Sequence, residues 1–270
     1  MTRWGKGVLA LLVALSVAGC TNDGATKGQT AAKADLPGAE ELIDRIAEAG
    51  RGLNSYVQES QAWIATGIPA DGGEASFTSD TTMTTEYILD PLQMHQTGSM
   101  IIGDKEPAET EAYFKEDSYY MLLEGLWRKM PDSFLEDLRL TVQVQSSPVR
   151  RMEMLKTILP YVNVSEAGEE YVLNVALSGE ETKDLESFYE LQYSSREVAA
   201  EMLQLLKSMS LEYRVSKETY WPTGTSEELV TEEMLDGDGA YREVKQKATM
   251  SQYNSVKEIA VPVEALQAAE

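Results

Sequence analysis

The sequence predicts an α+β domain: a wide, curved antiparallel sheet that carries helices on one face. Three observations predict it. Residues 54–130 and 211–254 alternate apolar and polar side chains at the strand period of two. Residues 39–53, 131–159 and 181–210 carry apolar side chains at helical spacing instead. Short turn sequences separate successive strands, with few interruptions, and this favours antiparallel neighbours with the helices laid on one face.

The elements follow in order. Ala39 to Leu53 places Leu42, Ile43, Ile46, Ala47 and Leu53 on one stripe, with Pro37 just ahead of the helix start. Tyr56 to Ile64 reads as a strand. In Ser76 to Asp90, Phe77, Met83, Tyr87 and Leu89 share one face, and the threonines of the other face favour strand through their restricted χ1. Asp90-Pro91 punctuates. Leu92 to Gly103 sets Leu92, Met94, Met100 and Ile102 against Gln93, His95, Thr97 and Ser99. Thr110–Lys115, Ser118–Leu123 and Leu126–Met130 read as a meander. Pro131 to Leu159 reads as two helices broken near Pro148. Tyr161–Ser165 and Tyr171–Leu177 read as a hairpin. Glu181 to Ser210 reads as mostly helix, with Val198, Ala199, Met202, Leu205, Leu206 and Met209 as its stripe. Three strands, Leu211–Trp221, Leu229–Leu235 and Tyr241–Asn254, close the sheet, with turns at Pro222–Gly224 and Asp236–Gly239. Ile259 to Pro262 reads as an extended tail.

Ahead of this domain lies an export signal. Arg3 and Lys6 form a positive start, and Gly7 to Val17 is almost unbroken apolar sequence, too short to span a bilayer comfortably. Val17-Ala18-Gly19-Cys20 resembles the lipobox of bacterial lipoproteins. That resemblance implies cleavage before Cys20, the only cysteine, and its acylation. Acyl methylenes contribute roughly 0.8 kcal/mol each in lipid, so such an anchor holds. Thr21 to Asp35 is small and polar and reads as a tether. The expected organisation is a signal peptide over residues 1–19, a tether over 20–37 and a folded domain over 38–270. The expected address is the extracytoplasmic face of the cell membrane.

Composition narrows the function. The formal charge of −22 becomes −24 once residues 1–19, with two cations and no anions, are removed. With no basic patch, such a surface does not bind nucleic acid, and anionic lipid headgroups repel it. One cysteine leaves neither a disulfide nor a thiolate nucleophile for the folded part. His95 is the only histidine and reads as a surface or groove-lining residue on a polar strand face. Asp236-Gly237-Asp238-Gly239 lacks the third acid of a calcium loop and reads as a hairpin turn. No metal, cofactor or catalytic residue is expected.

Eleven methionines follow the signal. Methionine is flexible and polarizable, and suits either a site for greasy ligands of variable shape or plain core filling. The candidate ligand-binding lining comprises Met83, Tyr87, Met94, Met100, Met121, Trp127, Met152, Leu155, Met202, Leu206 and Met209.

Several phrases, in this order, resemble the DUF6612 lipoproteins of Gram-positive bacteria: "LNSYVQES", "ILDPLQMH", "EAYFKEDSYYMLLEGLWRKM" and "QYNSVKEIAVPVEAL". The resemblance covers roughly residues 38–266 and implies a LolA/LppX-like carrier fold. That fold is an incomplete antiparallel β-barrel with helices on its concave face, and its relatives hold acyl chains between sheet and helices. It implies no catalytic residue. The expected function is therefore an anchored lipoprotein that binds a lipid or other amphiphile between sheet and helices. The alternative is an envelope interaction module with a packed core and a protein partner. Cavity volume separates the two, because ligand sites start at roughly 300 Å3.

Overall fold

The computed structural model describes residues 36–69, 73–123, 125–193, 195–235 and 238–268. The expected signal peptide, Cys20 and the tether as far as residue 35 lie outside them. Helix α1 (Ala39–Gly50) buries Leu42, Ile43 and Ile46 and exposes Glu40 and Glu41, which suit its positive N-terminal end. A meander of β1 (Ser55–Pro69), β2 (Phe77–Leu89), β3 (Leu92–Ile102), β4 (Ala108–Lys115), β5 (Ser118–Leu123) and β6 (Leu126–Lys129) follows. Helices α2 (Leu135–Ser146) and α3 (Pro148–Thr157) come next, divided where Pro148 starts the second helix and Ser147 caps it. Then come β7 (Asn163–Ala167), β8 (Glu170–Ser178), α4 (Glu186–Gln192), α5 (Arg196–Leu205), β9 (Leu206–Ser216), β10 (Pro222–Leu235), β11 (Asp238–Ser251) and α6 (Val263–Leu266).

The strands form one antiparallel sheet in the order β6-β5-β4-β3-β2-β1-β11-β10-β9-β8-β7. The last strand returns to pair with the first, and β6 and β7 remain as free edges, so the sheet is open. Among the described residues no helix is long and apolar enough to cross a membrane.

Directly opposed residues in an antiparallel ladder share a face, so register sorts the side chains. Tyr56 opposes Tyr87, Tyr87 opposes Met94, and Met94 opposes Phe114. These belong to the helix-side face, because Tyr56 donates a hydrogen bond to the Ser146 carbonyl of α2 at 2.8 Å. The larger core on this face joins α1, α3, α4 and α5 to β8 and β9 through Ile46, Met152, Leu155, Phe188, Leu211 and Val215. A second core joins Val142 of α2 to Tyr56, Tyr87, Met94 and Phe114.

The structure changes four expectations. Leu206 and Met209 belong to β9, not to a helix. Their i, i+3 spacing fits a helix, but Met209, Leu211, Tyr213 and Val215 alternate as a buried strand face, and pairing with β8 and β10 decides. Pro222 to Gly224 begin β10 rather than turning. The turn comes earlier, at Tyr220, which takes a φ of 57°. Asp238 and Gly239 already pair in β11, and only residues 236–237 of the expected turn lie outside the description. Finally, α6 follows the extended tail and packs on the opposite face, where Ala265 and Ile259 cover Tyr113 and Tyr120.

Candidate functional site

Six strand methionines share one face. Met83, Met94, Met100, Met121, Met209 and Met250 stand opposite Ser60, Tyr87, Thr81, Ala112, Leu177 and Gln58 in turn, and every pair belongs to the helix-side face. Their burial is graded. Met94 and Met209 are buried in the two cores. Met83, Met100 and Met121 are half-buried and belong to none of the apolar clusters. Around them Ile64 and Ala62 are also half-buried, and Phe77 is 44 % exposed. The helix-side face over β1 to β5 therefore mixes these apolar side chains with small polar ones such as Ser60, Ser79, Thr81 and Thr110, and is only partly covered.

The expected lining residues divide accordingly. Met152, Leu155, Leu206 and Met209 lie in the larger core, and Tyr87 and Met94 in the second. Met83, Met100 and Met121 lie on the uncovered part of the face. Met202 is half-buried on α5, between the exposed Val198 and Leu205. Trp127 departs from the group. It opposes Leu122 and lies on the other face, 5.8 Å from the Tyr113 ring. The strand period placed Met121 and Leu122 on opposite faces, and Trp127 follows Leu122.

Between the sheet and the α2–α3 junction lies a cavity of about 190 Å3. Its volume is below the roughly 300 Å3 at which ligand sites start. Its lining is mixed: Tyr56, Tyr213, Val244 and Met250 together with Gln58, Ser146, Arg151 and Glu227. Burial pushes the Tyr56 and Tyr213 phenols well above their usual range, and the Arg151 charge works against that shift. Sequence reasoning passed over Arg151. The signal was available: it follows Pro148 by three residues and precedes Leu155 by four, on the buried stripe of α3.

Away from the α6 cluster, the opposite face is polar over the middle of β1 to β3 and β11. A broad depression of about 650 Å3 there is lined by Glu59, Gln61, Thr82, Thr84, Thr97 and Lys247, among others. Beside it, His95 is held between carboxylates, with Nδ1 3.0 Å from Glu86 Oε2 and Nε2 3.1 Å from Glu111 Oε1. Its ring stacks on Tyr113 at 4.3 Å, and the Tyr113 hydroxyl donates to Glu111. Both ring nitrogens are thus engaged, which suits a structural clasp across β2, β3 and β4. Among the described residues no group of three His, Cys, Asp or Glu is placed to hold a metal ion.

The model of the family of unknown function DUF6612 matches residues 38–270. No curated protein matches the chain. Among solved structures, LprF from Mycobacterium bovis aligns at 9 % identity and a TM-score of 0.46, over 83 % of this chain and 96 % of LprF. Lipovitellin, described for its lipid–protein interactions, aligns at 8 % identity and 0.35, over 77 % of this chain and 26 % of its own. A DUF1329 family protein from Desulfovibrio piger aligns at 10 % identity and 0.28, over 82 % and 93 %.

Proposed function

We propose that this chain, which belongs to the DUF6612 family, is a lipid-anchored extracytoplasmic protein that takes up an acyl amphiphile on the helix-side face of its sheet. One observation carries the proposal: six strand methionines share that face, and Met83, Met100 and Met121 stay half-buried outside every core. Core filling accounts for Met94 and Met209. It does not account for flexible apolar side chains that the helices leave partly bare, and such side chains adapt to tails of variable shape. The tail lies along the open surface over β1 to β5, since the cavity of about 190 Å3 under the α2–α3 junction is too small for it.

Native mass spectrometry of the full chain, purified without harsh detergent, tests this. The expected result is one bound amphiphile per chain and uptake of a fluorescent fatty acid, weakened several-fold by the double substitution Met83→Gln and Met100→Gln. Protein free of amphiphile that also takes none up removes the proposal. The anchor is tested separately: Cys20→Ala is expected to move the protein from the membrane fraction to the soluble one, and unchanged membrane partitioning counts against it.

The small enclosed volume favours a second reading, in which the interior is packed and the protein docks an envelope partner. That reading expects no bound amphiphile and no effect of Met83→Gln and Met100→Gln on the partner.

A further inference from the structure

The cavity under the α2–α3 junction is too small for a tail, but it has the size and chemistry of a headgroup site. The fold leaves some of its polar groups unpaired. Among the described residues, the Arg151 guanidinium makes neither a hydrogen bond nor an ion pair. Its neighbour Arg150, by contrast, donates to the Leu191 carbonyl at 2.8 Å and pairs with Glu153 at 3.1 Å. Ser146 is 2 % exposed, lines the cavity, and its Oγ has no partner. Gln58 is 8 % exposed and lines it too. The N-terminal end of α3, at Ser147 and Pro148, also borders the cavity and adds the positive end of the helix dipole. A buried hydroxyl without a partner is costly, and an oxyanion held by the half-buried Arg151 guanidinium beside it would satisfy both groups.

The cavity lining also adjoins the partly covered part of the helix-side face. Val244 lines it and opposes Ile64 across the ladder. Two residues along β1, Ala62 opposes Thr81, which opposes Met100. A row of small and apolar side chains, interrupted by Thr81, thus links the cavity lining to the half-buried methionines.

We propose that Arg151, Ser146 and Gln58 bind the singly charged oxyanion headgroup of the amphiphile, a carboxylate or a phosphate diester, while its tail follows this row. The inference rests on the reading of the open face as an acyl site and adds the class of ligand. Glu227 lines the same cavity without pairing with Arg151, so one cation stands against one carboxylate there, and each negative charge added to a headgroup raises the repulsion. A single charge therefore fits better than a phosphate monoester.

The test compares three probes on the full-length protein: a long-chain fatty acid, its methyl ester, and a lysophosphatidylglycerol. Affinities are measured by calorimetry for the unaltered chain, Arg151→Gln, Arg151→Lys and Ser146→Ala. Arg151→Gln is expected to weaken the charged probes about ten-fold or more and to leave the methyl ester unchanged. Arg151→Lys is expected to keep part of the affinity, and Ser146→Ala to lose a few-fold. The better of the two charged probes identifies the headgroup source. Equal losses for acid and ester, or no loss in Arg151→Gln, overturn the headgroup site while leaving the acyl face standing. No binding of any probe to the unaltered chain overturns both.

Discussion

The two halves of the helix-side face are continuous in register and differ in how they are covered. Over β8 and β9 the face is sealed: Met152 and Leu155 of α3 are 0 % exposed, and Leu173, Val175 and Leu177 meet them from the sheet. Over β1 to β5 the same face carries Met83, Met100 and Met121 half-bare. The backbone of the open half is not slack. A Cβ on Gly98 would come within 2.3 Å of the Thr82 carbonyl oxygen, so β2 and β3 approach closely there. The difference lies in the side-chain layer, and it separates the part of the face that holds the fold together from the part that the helices leave accessible.

The largest expected effect breaks the sealed half. Leu155→Ala removes a fully buried side chain between α3 and its neighbours and is expected to cost about 2–5 kcal/mol, read from the urea midpoint. Met100→Ala in the open half deletes similar apolar volume but is expected to cost less than about 1 kcal/mol, because water already reaches the side chain. The same substitution should weaken amphiphile uptake. Equal losses of stability at the two sites would mean that the open half is core as well, and the contrast would fall.

Sequence reasoning reaches the two faces but not the contrast between them. The strand period put Phe77, Met83, Tyr87 and Leu89 on one face, as the register has them, because a one-residue slip would have inverted the set. The boundary at Leu206 was illegible, since Leu206 and Met209 fit a helical stripe and a strand end equally well. Met94 and Met100 share one strand and one face, yet only Met94 is buried. That outcome depends on where α2 lies, about 40 residues later, and no local pattern encodes it. Arg151 was half-legible: a charge on an apolar helical stripe is visible, but its lack of a partner appears only once the sheet is in place.

The smallest effect is silent near neutrality and asks whether the two halves unfold as one unit. Burial raises the phenols of Tyr87 and Tyr253 beside the open half to about 12, and pushes those of Tyr189 and Tyr213 in the sealed half up as well. In the unfolded chain a tyrosine titrates near 10. Between the two values the folded state keeps protons that the unfolded state releases, so stability is intact below about pH 10 and falls as pH rises toward 12. The phenolate absorbance that is lost on substituting Tyr87 and Tyr253, or Tyr189 and Tyr213, by Phe should rise together with the loss of circular dichroism between pH 9 and 12.5, in one cooperative step. If the share belonging to Tyr87 and Tyr253 appears first while helical ellipticity persists, the open half melts on its own, and the sealed half would be a separate folding unit.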